Sequence, residues 1–401
     1  MQFAIPIILC SLVLSMFFFK SMLLRIMLLV VMFPLCVLYL YIQEVPLVGI
    51  LEISRDSFSD RTLSTAFYSY LIGAIIFLGI LWPIRKRVFE YSLAFKVGNK
   101  TLSFLFIMLI LSSYSLLQIR TAEGGSASLY LAFSVMLIFF NKGFLKPFTI
   151  LHICYILFIF SMGERVDSIL TLIYILVMNT VSNNIAPINN IDGINKTNKK
   201  NTESYNRFFL YIGLAGVFVI GILSALVRTG GDSSVSLILT SLYAQQTITD
   251  VLYVYLCGVD YYLSHGIDLS VICNALFGLI PGPFYGVSSN YNFTFFLINN
   301  YSENPGGGLF FTEGIIAFGP FGVSLYLFLL GLSIKYLFKK GKAISNILFV
   351  LMFVMFCRIV WYGIIYTYKP ILFSIIIYYI IKTIIDKKQS IISSLSENKL
   401  E

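Results

Sequence analysis

The stretch MLLRIMLLVVMFPLCVLYLYI, residues 22–42, decides the class of fold. Its single charge, Arg25, sits near the start, and the rest is aliphatic or aromatic. A run of about 20 apolar residues is long enough to cross the hydrocarbon core of a bilayer as a helix. In lipid such a run must be helical, because only a helix or a closed barrel satisfies every backbone N–H and C=O there. Reading outward, comparable runs lie at 3–19, 64–82, 102–119, 127–141, 147–162, 166–182, 207–227, 309–334, 344–365 and 370–386. The expected fold class is therefore all-α: a polytopic membrane helix bundle of about eleven transmembrane helices. The first run lacks a basic lead and a small-residue cleavage site, so no cleavable signal peptide is expected.

Composition agrees. The chain is 58% hydrophobic and 12% charged, against about 25% charged residues in a soluble domain. One integral membrane domain over residues 1–401 is the simplest division.

Charge placement orients the spans. Arg85, Lys86, Arg87, Lys96 and Lys100 fill one loop, and Lys196, Lys199, Lys200 and Arg207 flank another. Lys335, Lys339, Lys340 and Lys342 fill a third, and Lys387 and Lys388 follow the last span. Alternating spans put all of these on one side, which the positive-inside rule names the cytoplasm. The N-terminus is then outside and the C-terminus inside. Of 28 Lys and Arg, 21 fall inside, and thirteen of 19 Asp and Glu fall outside. The net charge of +9 is thus a topology signal and gives no reason to invoke nucleic acid. The kind of cation differs too: seventeen Lys and four Arg inside, against six Arg and one Lys outside. Arginine is the cation suited to gripping phosphate or carboxylate through a planar fork. The alternative is pairing with neighbouring acids such as Asp56, Asp60 and Glu164, and for Arg55 and Arg61 that pairing is the expected role.

Between spans lies one long outer segment, residues 228–308, read as a large, partly helical loop. It contains VLYVYLCGVDYYL (251–263) and IDLSVICNALFGLI (267–280). Both are short and polar for spans, which suggests interfacial or re-entrant helices. Pro281, Gly282 and Pro283 stop the second. Its apolar content argues against disorder, so the segment is expected to fold as a lid over the outer face of the bundle.

Four constellations stand out. Arg165 lies in SMGERVDSIL (161–170) at an outer span edge, with Glu164 and Asp167 beside it. Arg228 opens the long loop in ALVRTGGDSS (225–234). Arg358 lies inside the apolar MFCRIVWYG (355–363), and an ionisable residue within a span is costly enough to suggest function. Glu313, in NPGGGLFFTEGIIAFGPFG (304–322), is the only acid of its span and is placed just inside the outer end. Its carboxylate suits pairing with an arginine, general-base work or positioning of a sugar hydroxyl. His265, outside and near Asp260 and Asp268, is a candidate base or substrate contact, or a plain loop histidine. His152 reads as a packed residue within a span.

The six cysteines form no CxxC or Cys/His cluster, so no zinc or redox site is expected. Cys257 and Cys273 are the one candidate pair for a disulfide on the outer side. No P-loop, serine elbow or His/carboxylate metal cluster is present, so cofactors are not expected and phosphate chemistry would rest on arginine.

Taken together, these residues resemble the O-antigen (oligosaccharide repeat-unit) polymerases of the Wzy type. The resemblance covers nearly the whole chain in architecture. It rests on the arginine in GERVD, the arginine opening the long loop, the GGG–x4–E–x5–G run of 306–319 and the late intramembrane Arg358. It departs from that family's pattern in having no second arginine within the long loop, so a deeper loop residue would be His265 or Asp260. The resemblance implies a bacterial inner-membrane glycosyltransferase acting on undecaprenyl-diphosphate-linked glycans in the periplasmic leaflet. Arg165, Arg228 and Arg358 would hold diphosphates, and Glu313 or His265 would orient or deprotonate the acceptor. It also implies a chain-length regulator and a flippase as partners. An O-antigen ligase shares the architecture and donor. A flippase or other transporter would instead show internal repeats and midplane charges spread over many spans.

Overall fold

A computed structural model of the chain describes residues 4–47, 50–89, 97–118, 125–141, 146–161, 166–182, 246–273, 308–339, 342–363 and 368–397. All regular structure among them is helical. The helices are α1 (Ala4–Ser15), α2 (Met22–Ile42), α3 (Ile50–Ile53), α4 (Asp60–Leu81), α5 (Asn99–Gln118), α6 (Gly125–Phe140), α7 (Pro147–Ser161) and α8 (Val166–Ser182). They continue as α9 (Gln246–His265), α10 (Thr312–Phe318), α11 (Pro320–Lys339), α12 (Ala343–Val354), α13 (Phe356–Tyr362) and α14 (Tyr368–Glu397). Among the described residues, four helical stretches are long and apolar enough to cross a membrane: 22–42, 60–84, 320–339 and 368–387. Of the sequence expectation, the all-α class and a multi-pass bundle with at least four such helices are seen. The expected run at 207–227 lies outside the described residues.

Local sequence explains the long helices. Ser59 caps α4 by accepting the Thr62 N–H on its side-chain oxygen, 3.2 Å away, which satisfies one of the orphan donors of a helix start. Trp82 and Pro83 end α4 in a short 3-10 turn. Outward faces stay apolar: Ile72 and Ile75 on α4, Leu329 and Leu332 on α11, and Leu372, Ile376 and Ile380 on α14 are all exposed. An exposed apolar belt of this size on a folded bundle is what a lipid solvent requires.

Two bonds fix the ends of the bundle. The Lys20 N–H donates to the Arg85 carbonyl at 2.7 Å, which brings the turn after α1 against the end of α4. At the opposite end, Thr62 Oγ1 donates to Asp260 Oδ1 at 3.0 Å. Helix α11 runs parallel to α4, since Gly73 faces Val323 and Leu327 while Gly331 faces Phe77 and Ile80. Lys339 therefore joins Lys20 and Arg85 at one end. Glu44, Glu52, Asp56, Asp60 and Asp260 collect at the other. The two ends are a basic end and an acidic end.

Two expected spans are broken. The run 309–334 is a short half-helix, α10, that climbs toward the acidic end, turns at Gly319 (φ 64°) and returns as α11. Glycine is the residue that takes this positive φ without strain, and Pro320 starts a new helix readily. The limbs press together so closely that a Cβ on Gly314 would lie 2.8 Å from the Gly322 carbonyl oxygen. The run 344–365 is likewise split at Met355 into α12 and α13.

The part of the long loop seen as α9 is one continuous helix. The lid expected over the outer face is, at this helix, a buried member of the bundle. Leu252, Tyr255, Leu256 and Val259 are fully buried. Its polar groups are matched from α4: the Tyr255 hydroxyl donates to the Ala66 carbonyl at 3.0 Å and pairs with Ser69 Oγ at 2.9 Å.

Candidate functional site

The entry to α10 and the last turn of α13 are tied together by main-chain bonds. Gly308 N–H donates to the Trp361 carbonyl at 2.9 Å, and Phe310 N–H to the Val360 carbonyl at 3.0 Å. Those carbonyls belong to the last turn of α13, where a helix has no intrahelical donors left to offer. An extended piece of chain thus caps one half-helix and leads straight into the next. Phe310 and Phe311 then pack against Tyr70, Tyr255 and Tyr326, with ring centroids 4.6 Å (Phe311–Tyr70), 5.1 Å (Phe311–Tyr255) and 6.1 Å (Phe310–Tyr326) apart.

Glu313 sits in the first turn of α10. The sequence reading puts it just inside the outer end. The structure puts it at the deep end of the re-entrant half-helix, about 9 Å below the Gly319 turn at 1.5 Å per helical residue. The reason is the break at Gly319, which reverses the chain and makes residues before it descend. Glu313 is half-buried and has no hydrogen bond or ion pair among the described residues. Thr312 Oγ1 and Trp361 Nε1 are buried at the same knot without hydrogen-bond partners among the described residues. Buried polar groups are nearly always paired, so this knot holds unused hydrogen-bonding capacity beside a carboxylate.

Arg358 lies in the middle of α13, half-buried, and it interacts with other groups. The main-chain ties bring its half-helix against the entry to α10, so the structure gathers the elements that carry Arg358 and Glu313. Arg165 and Arg228 lie outside the described residues.

His265 is elsewhere. Gly258 of α9 faces Thr312, and His265 is seven residues further along α9, about 10 Å toward the acidic end. It is exposed, its ring stacks on Tyr261 at 4.4 Å, and its Nδ1 lies 3.0 Å from Ser264 Oγ. Glu313 and His265 therefore do not converge on one atom. Near the histidine, Asp268 accepts the Ser270 N–H at 2.9 Å and the Tyr261 hydroxyl at 3.2 Å. The bonds from Ser270, with a smaller part from Tyr261, hold its carboxyl below the usual carboxylate range. His152 is buried and bonded to Ser134 Oγ at 2.9 Å, which fits its reading as a packed residue.

The disulfide pair does not form. Cys257 is buried within α9, Cys273 is exposed, and both are free thiols. Sequence reasoning missed Thr312 and Trp361, because neither residue type is unusual in an apolar run; only the bond accounting exposes them. Compared with known proteins, the chain matches no family model, no curated protein sequence and no solved structure.

Proposed function

We propose that this chain is a metal-independent membrane glycosyltransferase that polymerises undecaprenyl-diphosphate-linked repeat units at the outer face of the bacterial inner membrane. The observation that carries the reading is Glu313: a carboxylate without a partner among the described residues, fixed on a half-helix whose entry is bonded to the arginine-bearing α13. In the reaction, a hydroxyl of the incoming lipid-linked unit attacks the anomeric carbon of the growing glycan. The anomeric carbon to diphosphate oxygen bond breaks, and undecaprenyl diphosphate leaves with the electron pair. Glu313 takes the hydroxyl proton. Arg358, with Arg165 and Arg228, neutralises the departing diphosphate. Fixed guanidinium groups in a low-dielectric site are effective at this, because they need no reorganisation when the charge develops.

The test is deletion of the gene with inspection of the surface polysaccharide, followed by return of the wild-type chain or of Glu313→Gln. A polymerase mutant carries single repeat units on its lipid A core. Glu313→Gln should restore the protein but not the polymer. Full polymer from that variant removes Glu313 from the mechanism.

A second reading, an ion-coupled transporter, is favoured by one observation. Two discontinuous helices meet beside an acid that has no partner among the described residues, an arrangement in which transporters bind coupling ions. Complete loss of surface repeat units on deletion, in place of single units, would select that reading.

A further inference from the structure

At the acidic end, α1, α2 and α4 enclose a cleft of about 850 Å³. That volume falls among ordinary small-ligand sites, about 300–1,000 Å³. Its walls are of two kinds. Tyr39, Phe67 and Tyr68 form a run of aromatic rings, with centroids 5.9 Å and 5.6 Å apart along it. Glu44, Glu52 and Asp60 line the same space, as does Asp56, and no lysine or arginine is among its described lining residues. Glu52 is committed in part to structure, since its Oε2 accepts the Leu47 N–H at 2.9 Å. The carboxylates are not gathered on a point: among the described residues no three His, Cys, Asp or Glu side chains form a set that could hold a metal ion. They are spread around a volume, as groups are when the ligand is extended and carries several donors.

A second groove, about 530 Å³, shares Ser64 and Tyr68 with the first. It runs between α4 and α11 along Ser69, Ile72, Phe321 and Ser324, and Ile72 and Phe321 are exposed on the outward face. The cleft therefore adjoins the lipid-facing surface without being made of it.

We infer that the cleft binds a short saccharide bearing free amino groups, presented at the membrane surface. Phe67 is buried, so Tyr68, which is exposed, and the half-buried Tyr39 are the rings that offer faces to the C–H face of a pyranose, and such faces attract a cation. The carboxylates accept hydrogen bonds from hydroxyls and pair with ammonium groups. The same carboxylates repel a uronate or a phosphate, so the cleft cannot be the diphosphate site, which belongs with the arginines. Calling this cleft the acceptor-sugar subsite rests on the glycosyltransferase reading; the binding itself does not.

The experiment uses the purified full chain in nanodiscs and three soluble probes: a glucosamine trisaccharide, its N-acetylated form and a uronic-acid trisaccharide. Calorimetric titration should show the glucosamine form binding tightest, its affinity falling as ionic strength rises, and the uronate form not binding. Asp56→Asn and Asp60→Asn, both at exposed carboxylates, should each weaken it by roughly two- to fivefold. Tyr68→Ala should weaken the glucosamine and N-acetylated forms alike. Melting curves check that each variant is folded. Equal affinity for all three probes overturns the inference, as does binding of none, or binding unchanged in the folded Asp60→Asn and Tyr68→Ala variants. A chain that polymerises glycan in cells yet fails these titrations loses only the cleft assignment. A chain that binds the glucosamine form but leaves surface polysaccharide unaltered on deletion loses only the reaction.

Discussion

The contact between α10 and α11 yields a graded prediction. Three glycines differ in what an added methyl group would meet. At Gly79, in the interior of α4, a Cβ meets nothing within 4 Å. At Gly314 it meets the Gly322 carbonyl oxygen at 2.8 Å and Tyr326 Cδ2 at 2.9 Å. At Gly322 it overlaps the Gly314 carbonyl and reaches its Cα at 2.9 Å. Ordinary contact begins near 3.4 Å. The Gly314 methyl group therefore needs about 0.6 Å of movement, the difference of those distances. The Gly322 methyl group needs far more, and backbone rather than a flexible side chain must supply it. Replacing a helical glycine by alanine alone stabilises by about 0.5–1 kcal/mol. Overpacking costs about 1–3 kcal/mol and occasionally more. Gly79→Ala should therefore raise the melting temperature slightly. Gly314→Ala should cost about 1 kcal/mol net, and Gly322→Ala about 2 kcal/mol or more. The limb that must yield carries Glu313, and a displacement of about 1 Å at a reacting group can cost about 100-fold in rate. Gly322→Ala should thus lose most of its polymer even at temperatures where it stays folded. The assays are thermal unfolding of the detergent-purified protein and the glycan ladder on gels. A Gly322→Ala protein that melts and polymerises like wild type would refute the close-packed re-entrant limb and the placement of Glu313 upon it.

Glu313→Gln keeps the shape of the side chain and removes the proton acceptor, so polymerisation should fall about 10²- to 10⁴-fold with the melting temperature held, read from ladder and melt together. Tyr255→Phe deletes the bonds to Ala66 and Ser69 in a buried setting and should cost about 1–3 kcal/mol in denaturant unfolding. Asp268 has a carboxyl depressed by the Ser270 bonds. Its contribution is present above the unfolded carboxylate range and lost as pH falls through the lower folded value. Melting curves taken down a pH series should show this acid-side loss in wild type and a smaller one in Asp268→Asn.

Much of the fold was legible in the sequence because lipid leaves few choices. Residues 22–42 read as a helix and are one, end to end. The break in 309–334 also had a visible sign, the GPFG of 319–322, although the depth of Glu313 follows only from the direction of the half-helix before it. The break at Met355 had none: residues 349–360 hold neither glycine nor proline, and the split there is a product of packing. The burial of helix α9 had no visible sign for a different reason. Hydropathy scores Asp260 and Tyr255 as polar, whereas their partners Thr62 and Ser69 stand about 190 residues earlier. A one-dimensional scale has no access to such pairs. For the site, the charged side chains were legible as exceptions in apolar runs. The unpartnered Thr312 and Trp361 were not, because being without a partner is a property of the folded neighbourhood.

The bonds that cap α13 also set an order of assembly. Gly308 and Phe310 leave the ribosome about 50 residues before the carbonyls of Val360 and Trp361 that receive them. Until α12 and α13 are inserted, the strand leading into α10 has bare amide groups at membrane depth, an arrangement that lipid does not tolerate. The glutamate-bearing limb is thus expected to wait at the surface and enter late, seated by the helices made after it. A chain truncated before Val360 would have every residue of α10 yet no means of holding it in place.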